Sequence, residues 1–222
     1  MHVVFNLPDV PIDNKALGMM WLRGFFGDGS ARNPEVRSLA RAFVRLVHAA
    51  ARAYIRGVAH TKRYWETHDS FAVGDAEEAV SQFEHCISNT HRAINFFDAL
   101  RRHKFLENLD VINDLKPTFL RAMRTQISDI RNEVQHLEAA ILNGEILEGR
   151  STALHATGLE VPAPDEPGQT IMTIDRLVIG QYEIKAADLA LCLTRLLAYC
   201  RSIAEAPPVP PADVGTTQNP AS

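Results

Sequence analysis

The chain of 222 residues has few of the features that mark several protein classes. It carries 3 cysteines, Cys86, Cys192 and Cys200, an odd number with no C-x-x-C pair among them. That excludes a disulfide framework or a cysteine zinc ribbon and fits core thiols in a reducing compartment. No apolar run approaches the ~20 residues that span a bilayer, and the N-terminus lacks a charged-then-apolar leader pattern. No membrane association is expected, and the expected location is the cytoplasm. Positive charge is not in excess either. The formal net charge is −4, so any nucleic-acid contact must come from a local patch. No internal repeat is visible.

What is present is apolar content, 46%, enough at this length for a substantial core without staples. Its spacing is mostly helical. Asn33-Pro34-Glu35 has a cap, a first-turn proline and an acid at the positive helix end. From there Val36, Leu39, Phe43, Leu46, Val47, Ala50, Tyr54 and Val58 make one face of a helix to about Trp65. Asp75-Ala76-Glu77-Glu78 resembles a capping box and opens a second helix through Phe83, Ile87, Ile94 and Phe97 to about Arg102. A last helix runs from Ala186 to Ala204, and Pro207 to Pro211 stop it before a polar tail, 206–222, expected to be disordered. A short helix is expected within 104–116.

Two segments break the helical period. His2 to Leu7 reads as a short strand, and a short helix after Asp13 or Asn14 is expected to end at Gly27-Asp28-Gly29, so that residues 1–30 lie against the bundle. Residues 171–184 are rich in β-branched side chains, with turn-like Asp175-Arg176 and Gly180-Gln181, and predict a small antiparallel meander. The stretch before it, with Pro162, Pro164 and Pro167, reads as a loop.

On the first helix Arg37, Arg41, Arg45, Arg52, Arg56 and Arg63 fall together opposite the apolar face, and Glu35 is the only acid between Ala31 and Arg63. Like charges four apart oppose helix formation, and a face that served only solubility would intersperse acids. The stripe suits phosphate contact; ion pairing with a neighbouring helix and plain solvation are the alternatives.

The central helix, residues 117–142, opens on Pro117, buries Leu120, Met123, Ile127, Ile130, Val134, Leu137 and Ile141, and stops at Asn143-Gly144. Its outer face holds Arg121, Thr125, Ser128, Asn132, Gln135 and His136. Within it stands Arg131-Asn132-Glu133-Val134-Gln135-His136. Arg63…His68 and Arg150…His155 share the Arg-to-His spacing, but only Arg131 is followed by Asn. The run resembles the Arg-Asn-x-x-x-His motif of HEPN domains, helical bundles many of which are metal-independent ribonucleases.

The resemblance implies an all-α fold, a HEPN-like four-helix bundle in one domain over 1–205, with the extra short helices and the meander added to it. It implies Arg131, Asn132 and His136 as catalytic residues, RNA as partner, and no cofactor or metal. It also implies a homodimer through the helix 117–142, a regulatory protein partner, and a defence or stress-response setting. Arg37, Arg41, Arg45, Arg52, Arg56, Arg121 and Arg124 are the expected RNA contacts. The chemistry suits these groups: an imidazole titrating near neutrality takes the 2′-hydroxyl proton, and a guanidinium holds the phosphoryl oxygens. The products would be 2′,3′-cyclic phosphate and 5′-hydroxyl ends. In the toxin branch of the family a Tyr often stands two residues after the His; here it is Glu138, which puts that branch's mode of neutralisation in doubt. A non-catalytic HEPN-like binding or scaffold protein is the alternative. Glu133-x-x-His136 also fits half of a di-iron carboxylate site, but the chain holds no second Glu-x-x-His.

Overall fold

A computed structural model describes residues 1–15, 18–19, 34–67, 72–103, 117–145 and 152–205. It is mainly helical with a small mixed sheet. The long helices are α1 (Pro34–Thr67), α2 (Val73–Arg102), α3 (Pro117–Leu142) and α4 (Ala186–Glu205). The strands are β1 (His2–Phe5), β2 (His155–Pro162), β3 (Thr170–Ile179) and β4 (Tyr182–Lys185). None of these helices is long and apolar enough to cross a membrane.

Prolines open α1 and α3 where the sequence places them, because a first-turn residue needs no N–H and proline presets φ. Gly144 ends α3 at φ 75°, the left-handed conformation a helix stop requires. The start of α2 differs from the capping-box expectation. The helix begins at Val73, the preceding Ala72 makes no side-chain cap, and Asp75 sits in the first turn. There its carboxylate turns sideways to α1. His60 Nδ1 donates to Asp75 Oδ1 at 2.6 Å, and Arg63 Nε donates to the same oxygen at 3.1 Å.

The α1–α2 hairpin forms half of the core. Gly57 lets α2 come close: a Cβ there would stand 2.8 Å from Phe83 Cε1, on a ring that is fully buried. Phe43, Phe97 and Tyr199 join α1, α2 and α4 by ring contacts of 5.9 and 4.8 Å between centroids. Leu189, Leu193, Leu196 and Ile203 complete the α4 face. The three cysteines are free and buried within this core, and burial pushes the thiol pKa values up.

Strand β3 is the centre of the sheet. β2 pairs antiparallel along one edge; on the other, β1 pairs parallel with Ile171–Ile174 and β4 antiparallel with Arg176–Ile179. The antiparallel meander is therefore corrected in three respects. The N-terminal strand joins it in parallel, β2 occupies much of the expected loop, and Asp175-Arg176 lies inside β3. Arg176 stays in the strand because its guanidinium pairs with Asp175 at 2.7 Å and with Glu183 of β4 at 3.1 Å. Between Thr157 and Gly158 the register slips by one, leaving Asp175 of β3 as the extra residue of a bulge, and a Cβ on Gly158 would fall 1.6 Å from Thr173 O, so this position accepts only glycine.

Of residues 1–30, the described part lies on the bundle. Leu7 and Val10 are buried, and Tyr54 Oη donates to Pro8 O at 3.0 Å. The expected end of the short helix near Gly27, the short helix within 104–116 and the tail 206–222 lie outside the described residues.

Candidate functional site

Helix α3 packs on α2, on β3 and β4 and on α4, where Arg195 lies 4.7 Å from the centre of the Phe119 ring. Its buried stripe is Leu120, Met123, Ile127, Ile130 and Leu137, with Val134 half-buried. The stripe ends there; Ile141, expected inside, is 53% exposed, because the helix outruns the core.

The motif residues leave this stripe in different directions. At about 100° per residue, Arg131 and His136 stand about 140° apart. Arg131 is half-buried on the flank facing α2, where its charge acts on His91. Asn132 and His136 are exposed. Between them Glu133 leans on the β3–β4 turn: Gly180, at φ 56°, has the Glu133 carboxylate where a Cβ would be, 2.3 Å from Oε1. That contact fixes the rotation of α3 against the sheet. One chain thus does not bring Arg131 and His136 together; they border the outer face, where Arg121, Thr125, Gln135 and Ala139 are exposed.

The other arginines divide sharply. Arg124, seven residues before Arg131 on the same flank, pairs with Asp98 at 2.7 Å and donates to Asn95 Oδ1 at 2.6 Å, both on α2. Arg131 makes no hydrogen bond or ion pair with any described residue. Neither do Arg37, Arg41, Arg45, Arg52 and Arg56, of which all but Arg37 are exposed. Arg63, at the end of that stripe, is instead held by Asp75 and lies against the His60 ring, its Nη2 2.6 Å from Nδ1 and 3.2 Å from Nε2. Of the two alternatives for the stripe, ion pairing with a neighbouring helix holds for Arg63 alone among the described residues. The stripe and the motif lie on different helices. α1 packs on α2 and α4, and α3 meets the same two helices from elsewhere.

Two histidines that sequence reasoning left unused stand out here. His91, half-buried on α2, is held below the usual imidazole pKa by burial first and then by the charges of Arg131 and Arg124. His48 on α1 is fully buried, and neither ring nitrogen has a partner among the described residues. Burial lowers its pKa, Arg52 lowers it further, and Asp13 opposes them. Spacing on one helix carries no sign of either, since both environments are made by neighbouring segments. Among the described residues no three His, Cys, Asp or Glu side chains converge as a metal site requires.

Comparison with models of known protein families, with curated proteins and with solved structures finds no match.

Proposed function

We propose that the chain is a metal-independent endoribonuclease of the HEPN type, acting as a homodimer through the outer face of α3. The observation that carries this reading is the contrast on one flank of α3: Arg124 is fully engaged by α2, while Arg131 is half-buried and has no described partner. A guanidinium left in that state is available to an incoming anion. The exposed Asn132 and His136 stand on the face where a second α3 would lie. The small side chains Thr125, Ser128 and Ala139 permit a close approach, and a two-fold pair uses the same patch twice.

In the dimer, His136 of one chain faces the phosphate held by Arg131 of the other. The imidazole takes the 2′-hydroxyl proton, the 2′-oxygen bonds to phosphorus, the bond to the 5′-oxygen breaks, and the imidazolium returns the proton to that oxygen as it leaves. Charge that develops on the phosphoryl oxygens is stabilised by the Arg131 fork. The stripe of Arg37, Arg41, Arg45, Arg52 and Arg56, unpaired among the described residues, with the exposed Arg121, supplies sequence-independent contact to the RNA backbone. A cytoplasmic setting and a regulatory protein partner belong to the same reading.

The 140° between Arg131 and His136 on one helix favours a second reading. Without a dimer, the two groups serve no common phosphate, and the fold is then a helical binding or scaffold module. Incubation of the purified chain with RNA in excess EDTA separates the two. The nuclease reading expects fragments with 2′,3′-cyclic phosphate and 5′-hydroxyl ends, and light scattering at tens of micromolar should give twice the chain mass. A monomer that leaves varied RNAs intact means the scaffold.

A further inference from the structure

We propose that the outer edge of β2 is a second self-association surface, where β2 of another copy of this chain adds as an antiparallel strand with Leu159 on the two-fold axis. It is independent of the nuclease reading and of the α3 pair.

Strand β2 lies at the rim of the sheet and is bonded to β3 alone. The direction of its backbone groups follows from β3. Asn6 N–H donates to Ile174 O at 2.8 Å, so the Ile174 carbonyl points to the β1 side. The Thr173 carbonyl then points the other way, and a Cβ on Gly158 would stand 1.6 Å from its oxygen. Thr173 is the register partner of Leu159, so Leu159 gives its N–H and C=O to β3. Its neighbours Gly158 and Glu160 turn theirs to the free edge. The extra residue of the bulge belongs to β3, so β2 keeps this alternation.

The side chains at this edge do little to guard it. Lysine, proline or a covering segment commonly blunts an edge strand. From Gly158 to Val161 there is no Lys, Arg or Pro, and Leu159 is 65% exposed and Val161 39%. Leu159 shares a row with Thr173 and with the exposed Val4 of β1, on the face turned away from the buried Ile174. The one charge, Glu160, accepts from Thr170 Oγ1 at 2.6 Å. Pro162, which has no N–H, closes the stretch.

Two-fold symmetry leaves few registers, and they are unequal. Outward residues must face outward residues, which places the axis on a residue and not between two. An axis on Glu160 sets like charges opposite each other, which is destabilising. An axis on Gly158 leaves the exposed Leu159 opposite Thr157 of the second copy. With the axis on Leu159, Gly158 of each copy faces Glu160 of the other, and each such pair exchanges two N–H···O bonds. Leu159 then meets Leu159 in a non-hydrogen-bonded pair, where side chains come closest, and Val161 meets Thr157. Apolar meets apolar on the axis, and the only charge lies beside glycine. That self-complementarity selects a second copy over an unrelated strand. A contact this short buries less than a standard interface, so it fills at higher concentration than the α3 pair. Two different two-fold contacts on one chain build assemblies larger than a dimer.

Disulfide cross-linking tests the edge and its register together. Facing residues of a non-hydrogen-bonded pair have Cα atoms about 4.5 Å apart, within the span of a disulfide. Under mild oxidation Leu159→Cys should therefore yield a cross-linked pair of chains. The parent, whose cysteines are buried, should not, and neither should Glu160→Cys, which faces Gly158. Adding Glu160→Pro to Leu159→Cys removes an outward N–H and leaves the ladder to β3 intact. Losing one bond from each facing pair should weaken the association, and with it the cross-linked fraction, by about tenfold. If the proline variant does not fold, Leu159→Lys serves: light scattering at hundreds of micromolar should show the parent growing beyond its mass at tens of micromolar, and Leu159→Lys should not grow. Absence of a cross-link at position 159 overturns self-pairing and leaves the edge to a strand of another protein. Equal cross-linking at positions 159 and 160, or cross-linking at 160 alone, overturns the register. A chain that fails to pair through α3 should still cross-link at position 159, so the two contacts stand or fall separately.

Discussion

Helix α2 meets histidine and arginine at two levels, near its start and past its middle, and the two have opposite fates. Near its start, His60 and Arg63 of α1 converge on Asp75. The imidazole bonds the carboxylate through Nδ1 with the Arg63 guanidinium against the ring, and the His60 hydrogen bond, with Arg63 beside it, holds Asp75 below the usual carboxylate range. Further along, the charge of Arg131 acts on His91, and Arg131 makes no hydrogen bond or ion pair with any described residue. The first grouping is closed and ties two helices together. The second, one heptad from the equally closed Arg124, is open. The same residue types thus hold the fold in one place and remain available for chemistry in another, and the difference lies in a single acid supplied or withheld by the neighbouring helix.

The largest effect expected from this contrast is on activity. Arg131→Ala should lower RNA cleavage by about 10²-fold or more, the usual cost of losing a preorganised donor to developing charge. Arg63→Ala, in the closed grouping, should change cleavage little and cost at most about 1 kcal/mol in stability, as exposed ion pairs do. Equal losses of activity in the two variants would erase the distinction.

Next comes packing at the closed end. Gly57→Val places a branched side chain against the buried Phe83 ring, where even a Cβ would be 2.8 Å away. The overpacking should cost about 2 kcal/mol or more, against a gain of a few tenths from helix propensity. A thermal melt should show Tm lower by about 4–8 °C. An unchanged Tm would mean that the α1–α2 contact is looser than its geometry.

Acid should act on His48, whose buried nitrogens have no partner among the described residues. Its folded pKa lies below the ordinary 6.5, so at lower pH the unfolded chain binds a proton that the folded chain refuses. Stability is then full above about pH 6.5 and falls as pH drops, by up to about 1.4 kcal/mol per unit, until the folded pKa is reached. His91 adds to the same trend, less strongly because it is only half-buried. His48→Leu should flatten the dependence of Tm on pH between about pH 5 and 7; a slope equal to the parent's would place the proton elsewhere.

The smallest effect concerns the α1 stripe. Replacing Arg41, Arg45 and Arg52 with Gln removes exposed, unpaired charge while keeping helix propensity nearly constant. The variant should fold normally, bind RNA more weakly at low salt, and show a shallower slope of log affinity against log salt, by somewhat under one unit per lost contact. A parental slope would make the stripe a solvated face.

The helices were legible because their signals are local. Pro34 and Pro117 mark starts, Gly144 marks a stop, and the three-and-four spacing of Phe43 to Tyr54 and Leu120 to Leu137 names the buried faces. Strand β2 was not legible. Leu159, Glu160 and Val161 are all exposed, so no alternation betrays an edge strand, and Gly158 with Pro162 imitates a loop. The parallel pairing of His2–Phe5 with Ile171–Ile174 joins segments nearly the whole chain apart. The candidate site divides in the same way. The run from Arg131 to His136 could be read from one helix, while the action of Arg131 on His91 and the pairing of Arg124 with Asp98 depend on how α2 docks, which no spacing within α3 encodes.

The central claim is that Arg131 of one chain and His136 of another serve one phosphate. Mixing Arg131→Ala protein with His136→Ala protein tests it most directly. Each variant alone should be inactive. In the mixed dimer one of the two cross-chain pairs is intact, and half the dimers are mixed after exchange, so activity should return to about a quarter of the parent's. Mixed dimers that form, as seen by mass, and still cut no RNA would contradict the account.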